Sequence, residues 1–256
     1  ILQKENVRTL QKNAFERIDA IASPRLVEMY TDIVPCAIPA MAMVDSAPSE
    51  QRSAVPRALG VKVEAQFSVN EYDIVILSAK DALGLEIWLK ENKYKIPSGA
   101  EPLLRPYVQN NSKFFVAKVN AKKVTFATDA KGNKVAVLSP LRFHYDSEKF
   151  ELPVRLGLIN AKEKQDLIVH ILARNQRYEV ANYENVTIPT NIDLVPSAKS
   201  EFPFFYVSLF DRTLKANPKA VVTEYAWQAS SCDPCPTTPL TEADFQTLGA
   251  DVVPSK

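Results

Sequence analysis

A chain of 256 residues with 46% hydrophobic content can bury a core, and its length fits one large domain or two small ones. Its 31 lysines and arginines nearly balance its 30 aspartates and glutamates, so no net field would gather phosphate backbones and no nucleic-acid partner is expected. Apolar runs such as Leu167-Ile168-Val169 fall far short of the roughly 20 residues that span a bilayer, so no transmembrane segment is predicted.

The first elements are predicted to be helical. Apolar residues recur at helical spacing over residues 15–22, and Ser23-Pro24 then supplies an N-cap and a first-turn proline for a second short helix through Tyr30. Residues 35–56 are rich in proline, alanine and serine without a clear period. They predict a long surface excursion that Cys36 anchors.

Two adjacent strands and a helix follow. Residues 61–67 alternate apolar and polar side chains, as a half-buried strand does, whereas 74–77 form the continuous apolar run of a central strand. Ser78 is expected to cap a helix that ends at Asn92, with Asp81 facing back from its third position. The stripe predicted to be buried on this helix consists of Leu83, Ile87, Trp88 and Leu89.

A second capping box is predicted where Ser98 and Glu101 stand three residues apart. It opens another helix, in which Pro106 would clash with the preceding turn, so we expect a break near that residue. Strands are then predicted over residues 113–126 and 135–145, flanking a hairpin tip at 129–133.

The pattern of strands continues beyond the hairpin. Residues 150–159 and 166–174 complete a predicted antiparallel meander of four strands, and 178–188 add a candidate edge. A helix over 202–214, a strand over 220–227 and a short helix from Thr241 to Gly249 close the chain. The predicted fold class is α+β, with a mainly antiparallel twisted sheet of about six to eight strands and several short covering helices.

The chain has three cysteines, and Cys232-Asp233-Pro234-Cys235 resembles a thioredoxin-type redox motif. Prolines follow the motif at once and the next helix is capped only at Thr241, so no helix N-terminus would lower the thiol pKa. A structural disulfide in an oxidising compartment is therefore the favoured interpretation. Three thiols cannot all pair within the chain, so one stays free or pairs outside it.

No catalytic residue, metal or cofactor is predicted. Pro236 stands where a covalent haem motif needs histidine, and zinc would need a fourth ligand at the usual spacing. His144 has the carboxylate of Asp146 nearby in sequence, but nothing places a nucleophile beside it. His170 lies in an apolar run, where a structural role is favoured over a ligand role.

Nearly the whole chain resembles a bacterial family of mostly exported proteins, catalogued as domain of unknown function 2330. The resemblance lies in the order and spacing of several segments. They are Ile18-Asp19-Ala20, Ser23-Pro24-Arg25-Leu26-Val27-Glu28, Tyr72-Asp73-Ile74, Ser78-Ala79, Gly84-Leu85-Glu86-Ile87-Trp88-Leu89, Tyr94-Lys95-Ile96-Pro97, Lys113-Phe114-Phe115-Val116-Ala117-Lys118-Val119, Pro140-Leu141, Leu152-Pro153-Val154-Arg155-Leu156-Gly157, Thr223-Glu224-Tyr225-Ala226-Trp227 and Cys232-Asp233-Pro234-Cys235.

The resemblance implies an exported protein of the periplasm, cell surface or extracellular space, with no established reaction. It also implies one family domain over residues 1–249, a C-terminal tail over 250–256, and a missing upstream region that contains a cysteine. Cys36 is then expected to pair with that upstream cysteine and Cys232 with Cys235. Pairing of Cys36 with either member of the motif stays open.

The functional hypothesis is a non-enzymatic binding or assembly module, such as a subunit of a larger complex. The expected partner is the missing N-terminal segment or another protein chain, because an open sheet edge invites pairing. The alternative hypothesis is a thiol-disulfide exchange enzyme that uses Cys232 and Cys235.

Overall fold

The computed structural model describes residues 1–27, 59–129, 132–159, 166–190, 192–228 and 238–253. These residues form an α+β fold, as predicted. The α-helices are α1 (Ala14–Ala22), α2 (Ala82–Glu91), α3 (Glu101–Gln109), α4 (Phe202–Ala216) and α5 (Glu242–Leu248). The strands are β1 (Val7–Thr9), β2 (Val61–Val69), β3 (Tyr72–Ala79), β4 (Phe114–Val119), β5 (Thr125–Thr128), β6 (Lys134–Val137), β7 (Leu141–Phe143), β8 (Asn185–Thr187) and β9 (Val221–Thr223).

The strands of the described part belong to four small sheets, not to one large sheet as the sequence suggested. One sheet has the order β2-β3-β4 and is antiparallel throughout, and the other sheets are the pairs β1-β7, β5-β6 and β8-β9. The pairs β1-β7 and β5-β6 are antiparallel, whereas β8 and β9 run parallel. Most strand pairs of the described part are therefore antiparallel. Outside the sheet β2-β3-β4, each strand is short and pairs with a single neighbour.

The continuous apolar run of β3 is explained by burial on both of its faces. Val75 and Leu77 point into a hydrophobic cluster with side chains of α2 and α3. Ile74 and Ile76, on the opposite face, lie in a second cluster with Val7 of β1. Full burial of one such side chain is worth about 1.5–3 kcal/mol, so this strand supplies a large part of the core.

The fold divides into two compact units, which are described separately. Unit 1 comprises the described residues of Ile1–Ala14, Val44–Leu167 and Ala243–Lys256, and it contains both hydrophobic clusters. Unit 2 comprises those of Phe15–Met43 and Ile168–Glu242. The buried side chains of unit 2 in the described part are few, namely Ile18, Ile188 and Thr213.

Helix α2 ends where it was predicted to end, but it begins later than predicted, and its predicted cap and buried face are wrong. Asp81 is the N-cap residue, and its Oδ2 accepts a hydrogen bond from the Gly84 amide at 2.6 Å. Ser78 instead donates its hydroxyl hydrogen to Glu64 Oε1 at 2.6 Å, because it still belongs to strand β3. The buried residues of α2 are Ala82, Gly84, Leu85, Glu86 and Leu89, whereas Leu83 and Ile87 of the predicted stripe are exposed.

The N-terminus of α3 is held by a residue of another helix. The predicted box of Ser98 and Glu101 is wrong, since Ala100 is the N-cap residue and makes no side-chain hydrogen bond. Glu86 of α2 supplies the carboxylate instead, with Oε2 accepting the Glu101 amide at 2.8 Å. Pro106 lies inside α3, which continues to Gln109, so the expected break near the proline does not end the helix there.

Several predicted elements in the rest of the chain are confirmed. Helices α1, α4 and α5 lie where they were expected, and β5 and β6 form the predicted hairpin around Asp129 and Asn133. At the tip, the Asn133 amide donates to Asp129 Oδ1 at 2.8 Å. Strand β9 occupies only the first part of the predicted residues 220–227, and β8 forms the edge expected within 178–188.

The strands predicted over 113–126 and 135–145 are each divided, the first into β4 and β5 and the second into β6 and β7. Three further predicted elements are wrong. Residues 24–27 are not helical, and the remainder of the expected second helix, like the excursion at 35–56, lies outside the described residues. Val154–Ile159 form a 3₁₀ helix instead of a strand, because Leu156 and Ile159 pack against the cluster that α2 and α3 cover. Residues 166–174 are not assigned to a strand, since no ladder partner pairs with them in the described part.

No helix among the described residues is long and apolar enough to cross a membrane.

We expect alanine at position 84 to destabilise the protein, although Gly84 lies inside a helix. A Cβ at this position would stand 2.6 Å from the Leu59 carbonyl oxygen, so either backbone must move. We expect Gly84→Ala to lower the free energy of unfolding by about 1–3 kcal/mol, where an open helix site would gain about 1 kcal/mol. Urea unfolding measures the difference. Leu83→Ala, at a residue 54% exposed, is the matched control and should stay within about 0.5 kcal/mol. A Gly84→Ala protein as stable as the parent would contradict this packing.

Glu86 is expected to make stability depend on pH. Hydrogen bonds, first from Lys90 Nζ and then from the Glu101 amide, hold the pKa of this carboxyl below its ordinary value despite its burial. A lowered folded-state pKa adds stability above the unfolded pKa of about 4.3, and that stability is lost as pH falls through the folded pKa. Glu86→Gln should therefore be about 1.5–3 kcal/mol less stable than the parent at pH 7, with the gap narrowing below about pH 4.3.

Urea unfolding from pH 3 to pH 8 checks the effect. Glu91→Gln, an exposed position of the same helix, is the control and should follow the parent at every pH. A gap between parent and Glu86→Gln that is equal at pH 3 and pH 7 would refute the assigned role.

Candidate functional site

The three cysteines that the sequence analysis proposed as disulfide candidates, Cys36, Cys232 and Cys235, lie outside the described residues. Their pairing and the thiol-exchange hypothesis therefore stay predictions. The other candidate residues, His144 and His170, are both described, and the structure places them in different units.

His144 lies at a small polar recess of unit 1. The recess is lined by Glu5, Asn6, Arg8, Arg142, His144, Asp251 and Val252, and its cavity volume is about 80 Å³. Small-molecule sites usually have about 300–1,000 Å³ and mostly apolar walls. The recess is therefore too small and too polar for an ordinary ligand pocket.

His144 makes structural contacts in this recess. Its Nε2 lies 3.1 Å from Asn6 Nδ2, and its amide donates to the Asn6 carbonyl at 3.1 Å, which extends the pairing of β1 with β7. Among the described residues that line the recess there is no serine, threonine or cysteine. The hypothesis of a Ser-His or Cys-His nucleophile at His144 thus gains no partner here.

Arg142 is the most deeply buried charged group of the recess, and it fastens the C-terminal segment of unit 1. Its Nη1 donates to the carbonyl oxygens of Gln246 at 3.0 Å and Thr247 at 3.2 Å, and its Nη2 donates to the Asp251 carboxylate. Arg8 Nη2 reaches the other oxygen of Asp251 at 3.0 Å. A cation at the carbonyl end of α5 is also favoured by the helix dipole. The guanidinium therefore holds the C-terminal end of α5 and the 3₁₀ turn that follows this helix.

Buried carboxylates of unit 1 are likewise occupied by structural contacts. Glu71 Oε1 accepts the Ser139 amide at 2.6 Å, and the neighbouring Tyr72 hydroxyl donates to the Ser139 carbonyl at 2.7 Å. Burial would raise the pKa of Glu71, but the hydrogen bonds from Ser139 and from the Glu71 amide, together with the charge of Lys12, leave the pKa below its ordinary value. An ionised, saturated carboxylate of this kind is a poor general acid or base at neutral pH.

Glu64 is the extra residue of a bulge in β2, where the register with β3 shifts between Val63 and Ala65. Lys62 Nζ lies 2.6 Å from its Oε2 and Lys113 Nζ 3.7 Å from its Oε1. The hydrogen bond from Lys62, followed by that from Ser78, lowers the pKa of Glu64. The carboxylate therefore neutralises lysines at a strand irregularity.

In unit 2, His170 Nε2 lies 3.3 Å from Asp19 Oδ1 of α1. Elsewhere in this unit, the Tyr206 hydroxyl of α4 donates to Glu224 Oε2, and burial, followed by this hydrogen bond, raises the pKa of Tyr206. Each of these two contacts joins one pair of titratable side chains. Within the residues that the structure describes, no group of three or more histidine, cysteine, aspartate or glutamate side chains could hold a metal ion.

The most unusual surface of the described chain is apolar and lies on residues 166–174, which we call segment 166–174. Leu167, Ile168, Val169, Ile171 and Leu172 are all exposed, with Leu167 at 63% and Ile168 at 71%. The backbone runs without helix, turn or bend until Arg174, and no backbone hydrogen bond joins residues 167–173 to the rest of the described part. A sequence with strong strand-forming character thus lies at the surface without a ladder.

The contacts that fasten the elements of unit 1 were not predicted from the sequence. Arg142 and Glu86 act on backbone groups far along the chain, so their local sequence carries no signal for these contacts. Gly84 could have been found, because a glycine inside a helical pattern is costly and usually marks a close backbone approach. The apolar run of segment 166–174 was recognised, but it was interpreted as part of a folded meander.

These observations define the class: an α+β protein whose described residues assemble neither a metal centre nor a catalytic set and expose an apolar, strand-like segment. The chain belongs to a bacterial family, described as an uncharacterized protein conserved in bacteria (DUF2330), whose model matches residues 2–251. No curated protein and no solved structure gives a significant match to the chain.

Arg142 is expected to control the order of α5. A lysine has one ammonium group and cannot reach two carbonyl oxygens and a carboxylate in fork geometry, so Arg142→Lys should leave part of this set unpaired. We expect a loss of about 1–3 kcal/mol in stability and faster amide hydrogen exchange over residues 246–252. Arg155→Lys, at an exposed position, is the control and should change neither property. Unchanged exchange in Arg142→Lys would contradict the role.

Proposed function

We propose that this protein is an exported, non-catalytic binding or assembly module that acts in the periplasm, at the cell surface or outside the cell as a subunit of a larger complex. The observation that carries the proposal is segment 166–174, an exposed apolar stretch without a ladder partner in the described part.

Binding by strand addition is supported by the chemistry of this segment. An extended chain with unpaired amides and carbonyls gains main-chain hydrogen bonds when a second strand aligns beside it, and alternate side chains then determine specificity. Five large apolar side chains within six consecutive residues are exposed here. Because contiguous apolar surface on a soluble protein usually marks an interaction site, burial against a partner strand is the simplest use of this segment.

The charged groups of the described part also favour a non-catalytic role. Glu71, Glu86 and Arg142 are buried and Glu64 is half-buried, and each is engaged in hydrogen bonds that fix a strand or helix. Catalytic groups need a protonation state and a free face matched to a substrate. The contacts of these four groups are instead those of structural charges.

The export part of the proposal rests on the family resemblance and is tested by fractionating the native bacterium. We expect the protein in the periplasmic, cell-surface or culture fraction, and at an apparent mass above that of a 28.6 kDa chain. A separate polypeptide that accompanies the chain and is released by reduction would identify that polypeptide as its partner. A cytoplasmic protein would contradict the proposal.

The alternative activity is tested on the same native preparation by mass spectrometry of alkylated thiols. A structural disulfide at Cys232 and Cys235 should resist mild reductant, which agrees with the non-catalytic proposal. A pair that is readily alkylated, and that shuttles between dithiol and disulfide with an added thiol substrate, would establish thiol-disulfide exchange instead.

A further inference from the structure

Segment 166–174 is nearly symmetric about its central residue. Reading outward from His170, the flanking pairs are Val169 with Ile171, Ile168 with Leu172, and Leu167 with Ala173. Every one of these pairs is apolar. The two end residues, Asp166 and Arg174, carry opposite charges.

This pattern is complementary to itself when two copies run antiparallel. An isologous pair of identical strands has a two-fold axis, and an axis at His170 places each residue opposite its mirror position in the other copy. Asp166 of each copy then faces Arg174 of the other, and apolar side chains face one another between these charge pairs. Opposite charges directly across a ladder stabilise it, whereas like charges destabilise it.

Parallel pairing in register lacks this complementarity. It would place Asp166 beside Asp166 and Arg174 beside Arg174, with like charges at both ends of the ladder. A shift of an antiparallel pair by one residue would also remove the two charge pairs. The charge pattern therefore selects one direction and one register.

The structure leaves the segment accessible for such pairing. Asp166 to Val169 and Ile171 to Arg174 are all exposed, and the intervening backbone is neither helical nor bent. The contact of His170 with Asp19 involves the side chain only.

The two faces of the paired ribbon would differ. Leu167, Val169, Ile171 and Ala173 lie on one face because strand side chains alternate, and two copies together present a purely apolar surface there. The other face carries His170, the apolar pairs of Ile168 with Leu172, and the two charge pairs. An isolated two-stranded ribbon is marginally stable, so the apolar face should strengthen the association only where further burial is available.

We propose that two copies of this chain associate by antiparallel pairing of segment 166–174, with the two-fold axis at His170. This inference rests on the proposed binding function and narrows the partner to a second copy.

Charge reversal tests the pairing and its register together. Sedimentation velocity of the purified chain from about 1 to 300 µM should show a concentration-dependent dimer. Asp166→Lys and Arg174→Asp should each weaken dimerisation about tenfold or more, because each places like charges at both ends of the ladder. An equimolar mixture of the two variants should dimerise again, since every end pair in the mixed dimer is then of opposite sign.

The controls separate this effect from net charge and from folding. Asp193→Lys and Arg155→Asp make the same charge changes at exposed positions outside the segment and should leave the dimer unchanged. Recovery in the mixture demonstrates that both variants are folded, so a misfolded variant cannot imitate the expected result.

Three outcomes would overturn the self-pairing: a parent chain that stays monomeric throughout, a dimer insensitive to both reversals, or a mixture that fails to recover. An exported protein that is monomeric when pure, but carries another chain on segment 166–174 in the native preparation, would overturn self-pairing and leave the binding function intact. A cytoplasmic location would instead refute the proposed function, whatever the sedimentation result.

Discussion

The burial of β3 on both faces is the constraint on which unit 1 depends. Ile74 and Ile76 face β1, and Val75 and Leu77 face α2 and α3, so removing either covering layer would expose part of a strand with almost no polar side chains. Both covering layers, β1 on one face and α2 with α3 on the other, must therefore stay in place over the central sheet. The close approach of Gly84 to the Leu59 carbonyl shows how tightly one of these layers is seated.

Buried charges hold the elements that apolar packing alone would leave loose. Glu86 joins α2 to the first amide of α3, Glu71 ties the turn between β2 and β3 to Ser139, and Arg142 holds the end of α5. Removing one partner from such a contact leaves a buried polar group unsatisfied, which costs more than the contact itself contributes. The proposed interaction rests on a different feature, the exposed apolar side chains of segment 166–174.

Local periodicity was sufficient to predict the elements whose burial is encoded within a few residues. The alternation over 61–67, the apolar run at 74–77 and the pattern at 202–214 gave β2, β3 and α4 in nearly their observed positions. The cap of α3 could not be predicted, because Glu86 lies fifteen residues before the amide that it binds. The strand predicted over residues 166–174 was wrong for a different reason. Strand propensity favours an extended chain, but a strand also requires a partner. The candidate cysteines were identified from sequence, whereas their pairing depends on contacts outside the described residues.

Amide hydrogen exchange, followed by mass spectrometry in dilute protein, tests the account most directly. It compares a strand that is buried on both faces with an apolar segment that has no ladder partner among the described residues. We expect the slowest exchange in residues 74–77, which are buried, and rapid exchange in residues 167–173, which are mostly exposed. Protection of 167–173 equal to that of 74–77 in a dilute monomer would contradict it, because the segment would then already be paired within the chain and could not serve as an interaction surface.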